Sequence, residues 1–165
     1  MSLINAFAEE LERESHTTRK MLERVPFEKF EWQPHPKSMT LGHLASHVAE
    51  LPSWIGMALN ISELDFVANP YEVPPIHSIK ELLDYYENNL ADGKAELAKA
   101  KEEQLSQPWT MRNGSDIYST EPKGAVIRMA LSQTIHHRAQ LGVYLRLLDI
   151  PIPGSYGPSA DEMNF

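Results

Sequence analysis

The chain has 165 residues, 42% of them hydrophobic, and 15 basic against 23 acidic side chains give a net charge of -8. That is the size of one globular domain, 1–165, burying roughly 70% of its unfolded surface, and with no Lys/Arg cluster it offers no face for nucleic acid. The absence of cysteine excludes disulfides, thiolate ligands and a cysteine nucleophile, so a bound metal must take nitrogen and oxygen donors and any thiol chemistry needs an external thiol. No apolar run approaches the ~20 residues that cross a bilayer, and no basic stretch precedes an apolar one at the N-terminus. The expected setting is the cytoplasm, with no membrane partner.

In chain order, residues 2–24 place Leu3, Phe7, Leu11, Glu14, Thr18, Met21 and Val25 at the three- and four-residue spacings of one helix face, closed by Pro26. Glu14 and Thr18 interrupt the apolar stripe and read as a buried hydrogen-bonding pair. Residues 27–37 carry two prolines and form a connector. Ser38 or Thr40 caps a second helix over 40–59, whose stripe is Leu44, His47, Leu51, Trp54 and Ala58. Pro52 lies inside it and is expected to kink it one turn beyond His47, because the Val48 carbonyl loses its amide partner. Residues 60–77, with Pro70, Pro74 and Pro75, form a loop long enough to suggest a function of its own. Ser78 caps a third helix over 79–104, with its apolar stripe at 79, 83, 86, 90 and 97 and a solvated, charged far end. Asn113 and Gly114 suit a tight hairpin turn. A fourth helix over 122–148, roughly 40 Å long, carries Ile127, Ala130, Thr134, His137, Leu141, Tyr144 and Leu148 on one face. The tail 151–165 is rich in Pro, Gly and Ser.

His47 and His137 sit in the middle of two of these stripes. Two helices offering imidazoles to one interior is how a bundle builds a metal site, although a core histidine satisfied by hydrogen bonds is the commoner explanation of either one alone. His136 lies about 100° round the helix from His137 and reads as structural. His43, one turn before His47, reads as a packing or supporting residue, and His16, His35 and His77 carry no functional signal.

The stretch PHPKSMTLGHLASHVAELPSW over 34–54, the element HHRAQLGVYLR over 136–146 and YGPSADE over 156–162 resemble the DinB/YfiT-like family, and the resemblance covers nearly the whole chain. It implies an all-α, four-helix bundle of up-down-down-up topology, commonly a homodimer. It also implies a divalent metal, nickel or zinc above all with manganese or iron open, held by three histidines. One of these corresponds to His47 and another to His137. The third belongs four residues before His137, where this chain has Gln133. Four outcomes stay open: Gln133 coordinates as a weak neutral oxygen donor; His43 adds an imidazole from the same helix face; Glu14 adds a carboxylate to make a two-His-one-carboxylate set; or metal binding is lost. The resemblance further implies a metal-dependent enzyme, a thiol-dependent S-transferase, isomerase or related hydrolase, acting on a small-molecule substrate with a low-molecular-weight thiol such as bacillithiol or mycothiol. The alternative is a non-catalytic small-molecule-binding or stress-associated bundle. Ile4, Leu22, Val126, Leu145 and Leu147 lie off the main stripes and are expected to need a partner surface, which agrees with a homodimer.

Overall fold

The computed structural model describes residues 2–163; Met1, Asn164 and Phe165, the ends of the predicted domain and tail, lie outside the described residues. Helix α1 (Leu3–Leu22) begins at Ser2, whose side chain accepts from the Asn5 amide, and the free Ile4 amide donates to Glu102 Oε1 at 2.9 Å. These two acceptors satisfy donors that the first turn of any helix leaves open. Phe7, Leu11, Glu14, Thr18 and Met21 are buried as the stripe requires, and only Leu3 of that set within the helix is exposed. A single 3₁₀ turn, Phe27–Lys29, occupies the connector.

The predicted second helix is two helices. α2 (Leu41–Glu50) starts at Thr40, whose hydroxyl accepts from the His43 amide, and α3 (Ser53–Asn60) restarts immediately after Pro52. Proline supplies no amide donor, so the carbonyls at the end of α2 find other partners. Ser53 Oγ donates to the Glu50 carbonyl at 2.8 Å and Asn89 Nδ2 to the Ala49 carbonyl at 3.1 Å. The break is packed closely from outside: a Cβ at Gly93 would stand 2.6 Å from the Pro52 carbonyl oxygen, so that approach requires glycine.

An all-α reading misses a small sheet. Strand β1 (Glu63–Asp65) pairs in parallel with β2 (Pro108–Asn113), which pairs antiparallel with β3 (Asp116–Pro122). The hairpin turn expected at Asn113-Gly114 falls one residue on, at Gly114-Ser115 between the paired Asn113 and Asp116, with Gly114 at φ +61°. Helix α4 (Ile79–Lys99), capped by Ser78, is shorter than expected and gives way to a 3₁₀ turn, Glu102–Ser106. Helix α5 (Lys123–Leu147) follows β3 directly. Lys123, 6% exposed at its start, donates from Nζ to the Leu59 carbonyl at 2.7 Å, closing the last turn of α3.

α4 and α5 each pack against α1, α2 and α3, so both long helices are buried on more than one face. This corrects one expectation. Ile4, Leu22, Val126 and Leu145 need no partner surface, because the chain covers them itself; of the set only Leu147, at 59%, is exposed. The tail folds back on α5, where Asp161 accepts from the Ile152 amide and pairs with Arg146. No helix among the described residues is long and apolar enough to cross a membrane.

Candidate functional site

Helices α2 and α5 bring the two stripe histidines together: the ring centroids of His47 and His137 are 4.6 Å apart at 76°. Each ring is anchored by a residue three positions further along its own helix. Glu50 Oε1 accepts from His47 Nδ1 at 2.9 Å, and Gln140 Oε1 accepts from His137 Nδ1 at 2.8 Å. On a helix, i and i+3 are neighbours on one face, so the same spacing yields the same support twice. A carboxylate or amide oxygen can only accept, which puts a proton on Nδ1 of each ring, and a neutral ring then carries its lone pair on Nε2. Among the described residues neither Nε2 has a hydrogen-bond partner.

Burial holds the His137 imidazole below its ordinary pKa; the Nδ1 hydrogen bond to Gln140 opposes this, and the neighbouring His47 and His136 rings reinforce it. A neutral ring with a free Nε2 lone pair is the form that accepts a cation. Against the α2 histidines lies Tyr71 from the long loop, its ring 5.9 Å from His43 in a stacked arrangement and 6.4 Å from His47 edge-on. Burial, and then the adjacent Glu50 carboxylate, push the Tyr71 phenol well up, so it remains a neutral donor.

The other predicted residues fall as follows. Gln133 is half-buried on α5, one turn before His137. His43 is half-buried, with its ring against Tyr71. His136 is exposed, yet its ring is 4.8 Å from that of His137. Glu14 is committed elsewhere: its Oε2 forms an ion pair with Arg138 Nη2 at 2.7 Å, outside good hydrogen-bond geometry. Its expected partner Thr18 meets Glu14 only at the backbone, donating Oγ1 to that carbonyl at 2.8 Å, and accepts from Arg138 Nη1 at 3.1 Å. A carboxylate so neutralised is a poor candidate for a metal. Among the described residues no three His, Asp or Glu side chains converge to hold an ion. What the helices bring together is two imidazoles, each anchored through its Nδ1. Glu50, Gln140 and Tyr71 were missed in the sequence; the first two carry a signal there, an acceptor at i+3 from each stripe histidine.

The chain matches the model of the DinB family over residues 1–164. It belongs to the DinB family. The resemblance in the sequence is thereby borne out. YrdA, an uncharacterized protein of Bacillus subtilis (strain 168), is 25% identical over 163 residues, covering 96% of this chain and 91% of that protein. Among solved structures, a DinB-like protein from Bacillus cereus superposes with a TM-score of 0.70 at 22% identity, covering 92% of this DinB-family chain and 97% of the other. The mycothiol-dependent maleylpyruvate isomerase superposes with a TM-score of 0.61 at 16% identity, over 86% of this chain and 63% of that one. Both likenesses establish a shared fold.

Proposed function

We propose that this DinB-family protein is a divalent-metal-dependent enzyme whose ion is held by Nε2 of His47 and Nε2 of His137, with the Gln133 amide oxygen as third donor. The observation that carries the reading is the paired anchoring of the two rings: a ligating histidine characteristically donates its other N–H to an acceptor that sets its tautomer and direction. Nickel or zinc suits the imidazoles, and manganese or iron suits a set containing an amide oxygen. The ion, when bound, lowers the pKa of a thiol or water. The chain's own part is to aim the two imidazoles, hold the His137 ring neutral through burial, and stand the Tyr71 hydroxyl, bonded to Glu50, beside them as a neutral hydrogen-bond donor.

The substrate class follows from two facts. The chain has no cysteine, so a thiol must come from outside, and one protein of this fold is a mycothiol-dependent isomerase. We therefore read it as a thiol-dependent transferase, isomerase or related hydrolase of the cytoplasm, using a low-molecular-weight thiol. In this reading α2 and α3 together form the second arm of a single up-down-down-up bundle. Assembly as a homodimer is part of the proposal and rests on Val143 and Leu147, both 59% exposed one turn apart on α5. Light scattering that returns the mass of one 18.7 kDa chain removes it.

That no three such side chains converge among the described residues supports a second reading, a small-molecule-binding bundle without a metal. Metal stoichiometry after loading with nickel, zinc, manganese and iron in turn separates the two. One ion per chain is expected, and background levels for all four would reject the enzyme reading.

A further inference from the structure

The break at Pro52 leaves a cleft of about 230 Å³ between α3, α4 and the loop that follows β1. Its walls carry Trp54, Phe66, Tyr71 and Tyr85, and Glu50 stands among them with 9% of its side chain exposed. Glu72 lines the same cleft, and among the described residues no lysine or arginine does. Four aromatic rings round a buried carboxylate are an unusual use of interior surface, because an anion taken out of water needs compensation.

Glu50 is only partly compensated. Its Oε1 accepts from His47 Nδ1 and the Tyr71 hydroxyl also bonds the carboxylate, but a carboxylate has about four acceptor positions, and neither partner brings a fixed positive charge. We propose that this cleft binds a small organic cation, an alkylated ammonium group, with Glu50 as its counter-charge and Trp54, Phe66, Tyr71 and Tyr85 as its wall. Aromatic faces attract a desolvated cation through the ring quadrupole, and Trp and Tyr do so best. An anionic ligand would meet Glu50 and Glu72. A neutral apolar ligand would strip water from the carboxylate and return nothing. The volume lies below the roughly 300–1,000 Å³ of pockets for drug-sized ligands, so the occupant is a small molecule or a single head group.

The cleft meets the histidine pair through Glu50 and Tyr71, and the inference is made for metal-free protein whatever becomes of the metal reading. The test uses the full chain without metal, titrated with choline chloride and, separately, with its neutral carbon isostere dimethylbutanol, at constant ionic strength. Calorimetry and tryptophan fluorescence read the binding. Choline should saturate a single site in the millimolar range, and dimethylbutanol should not. Glu50→Gln and Trp54→Leu should each weaken choline roughly tenfold, while His35→Ala, outside the cleft, binds as the parent does. Thermal melts check that the variants fold; should Trp54→Leu fail, Glu50→Gln and the isostere comparison decide. No saturable choline binding, equal affinity for the isostere, or parent-like binding by Glu50→Gln each overturns the proposal. A nickel titration of the same parent protein reports on the metal reading separately.

Discussion

Consecutive residues of α5 enter two polar clusters of opposite character. Arg138, 3% exposed, pairs with the Glu14 carboxylate and donates to the Glu14 carbonyl at 3.2 Å, to Thr18 Oγ1 at 3.1 Å and to the Tyr156 hydroxyl at 3.3 Å. His137, about 100° round the same helix, meets His47 with one nitrogen anchored and the other open. In the first cluster charge cancels charge and α1, α5 and the tail are tied together. In the second, the supporting bonds engage Nδ1 of each ring and leave both Nε2 atoms open. A buried polar group is thus a poor sign of function by itself; the sign is a donor atom left over after its neighbours are satisfied.

The largest expected effect breaks the closed cluster. Arg138→Met strands the Glu14 carboxylate in the core and should cost about 3–5 kcal/mol of unfolding free energy, whereas Glu14→Leu combined with Arg138→Met should recover most of it. Denaturant titration measures both, and a small loss in the single variant would mean that water reaches Glu14. Next, His47→Ala and His137→Ala should leave helical content and melting nearly unchanged while weakening nickel or zinc by at least the roughly 100-fold upper range seen when a mere supporting partner is lost. If both variants bind metal like the parent, the open cluster is not the site. A smaller effect is expected from Gln140→Leu, which keeps His137 but removes its anchor: roughly tenfold weaker metal binding, read by competition with a chelating dye. The smallest change runs the other way. Gln133→His restores an i,i+4 imidazole pair with His137 and should tighten nickel and zinc several-fold by calorimetry; equal or weaker binding would show that another group already serves as third donor.

Much of the helical framework was legible before any coordinates, for a local reason. The stripes through Leu11, Leu44, Leu90 and Leu141, the caps at Thr40 and Ser78, and the interruption at Pro52 all follow from contacts or missing donors within a few residues. The extent of the interruption was not legible. A lone proline can bend a helix or end it, and here Ser53, Asn89 and the glycine at 93 supply the partners and the space that let α2 stop. The sheet escaped for a similar reason: β1 has three residues, and its partner Thr110 lies far along the chain from Glu63.

By itself the sequence determined which residues face inward, because helical periodicity is a property of the backbone alone. It therefore placed His47 and His137 on buried faces and marked Gln133 as the departure from a three-histidine set. Only the tertiary structure decided what each polar side chain does there. Arg138 and Glu14, 124 positions apart, meet because α1 packs on α5, and that contact takes Glu14 away from the histidines. Tyr71 reaches Glu50 and His47 because the loop after β1 is held at its base, where Asp65 accepts from the Gly114 and Val67 amides. Ion pairing and hydrogen bonding depend on distances between elements remote in sequence, and no local spacing encodes those distances.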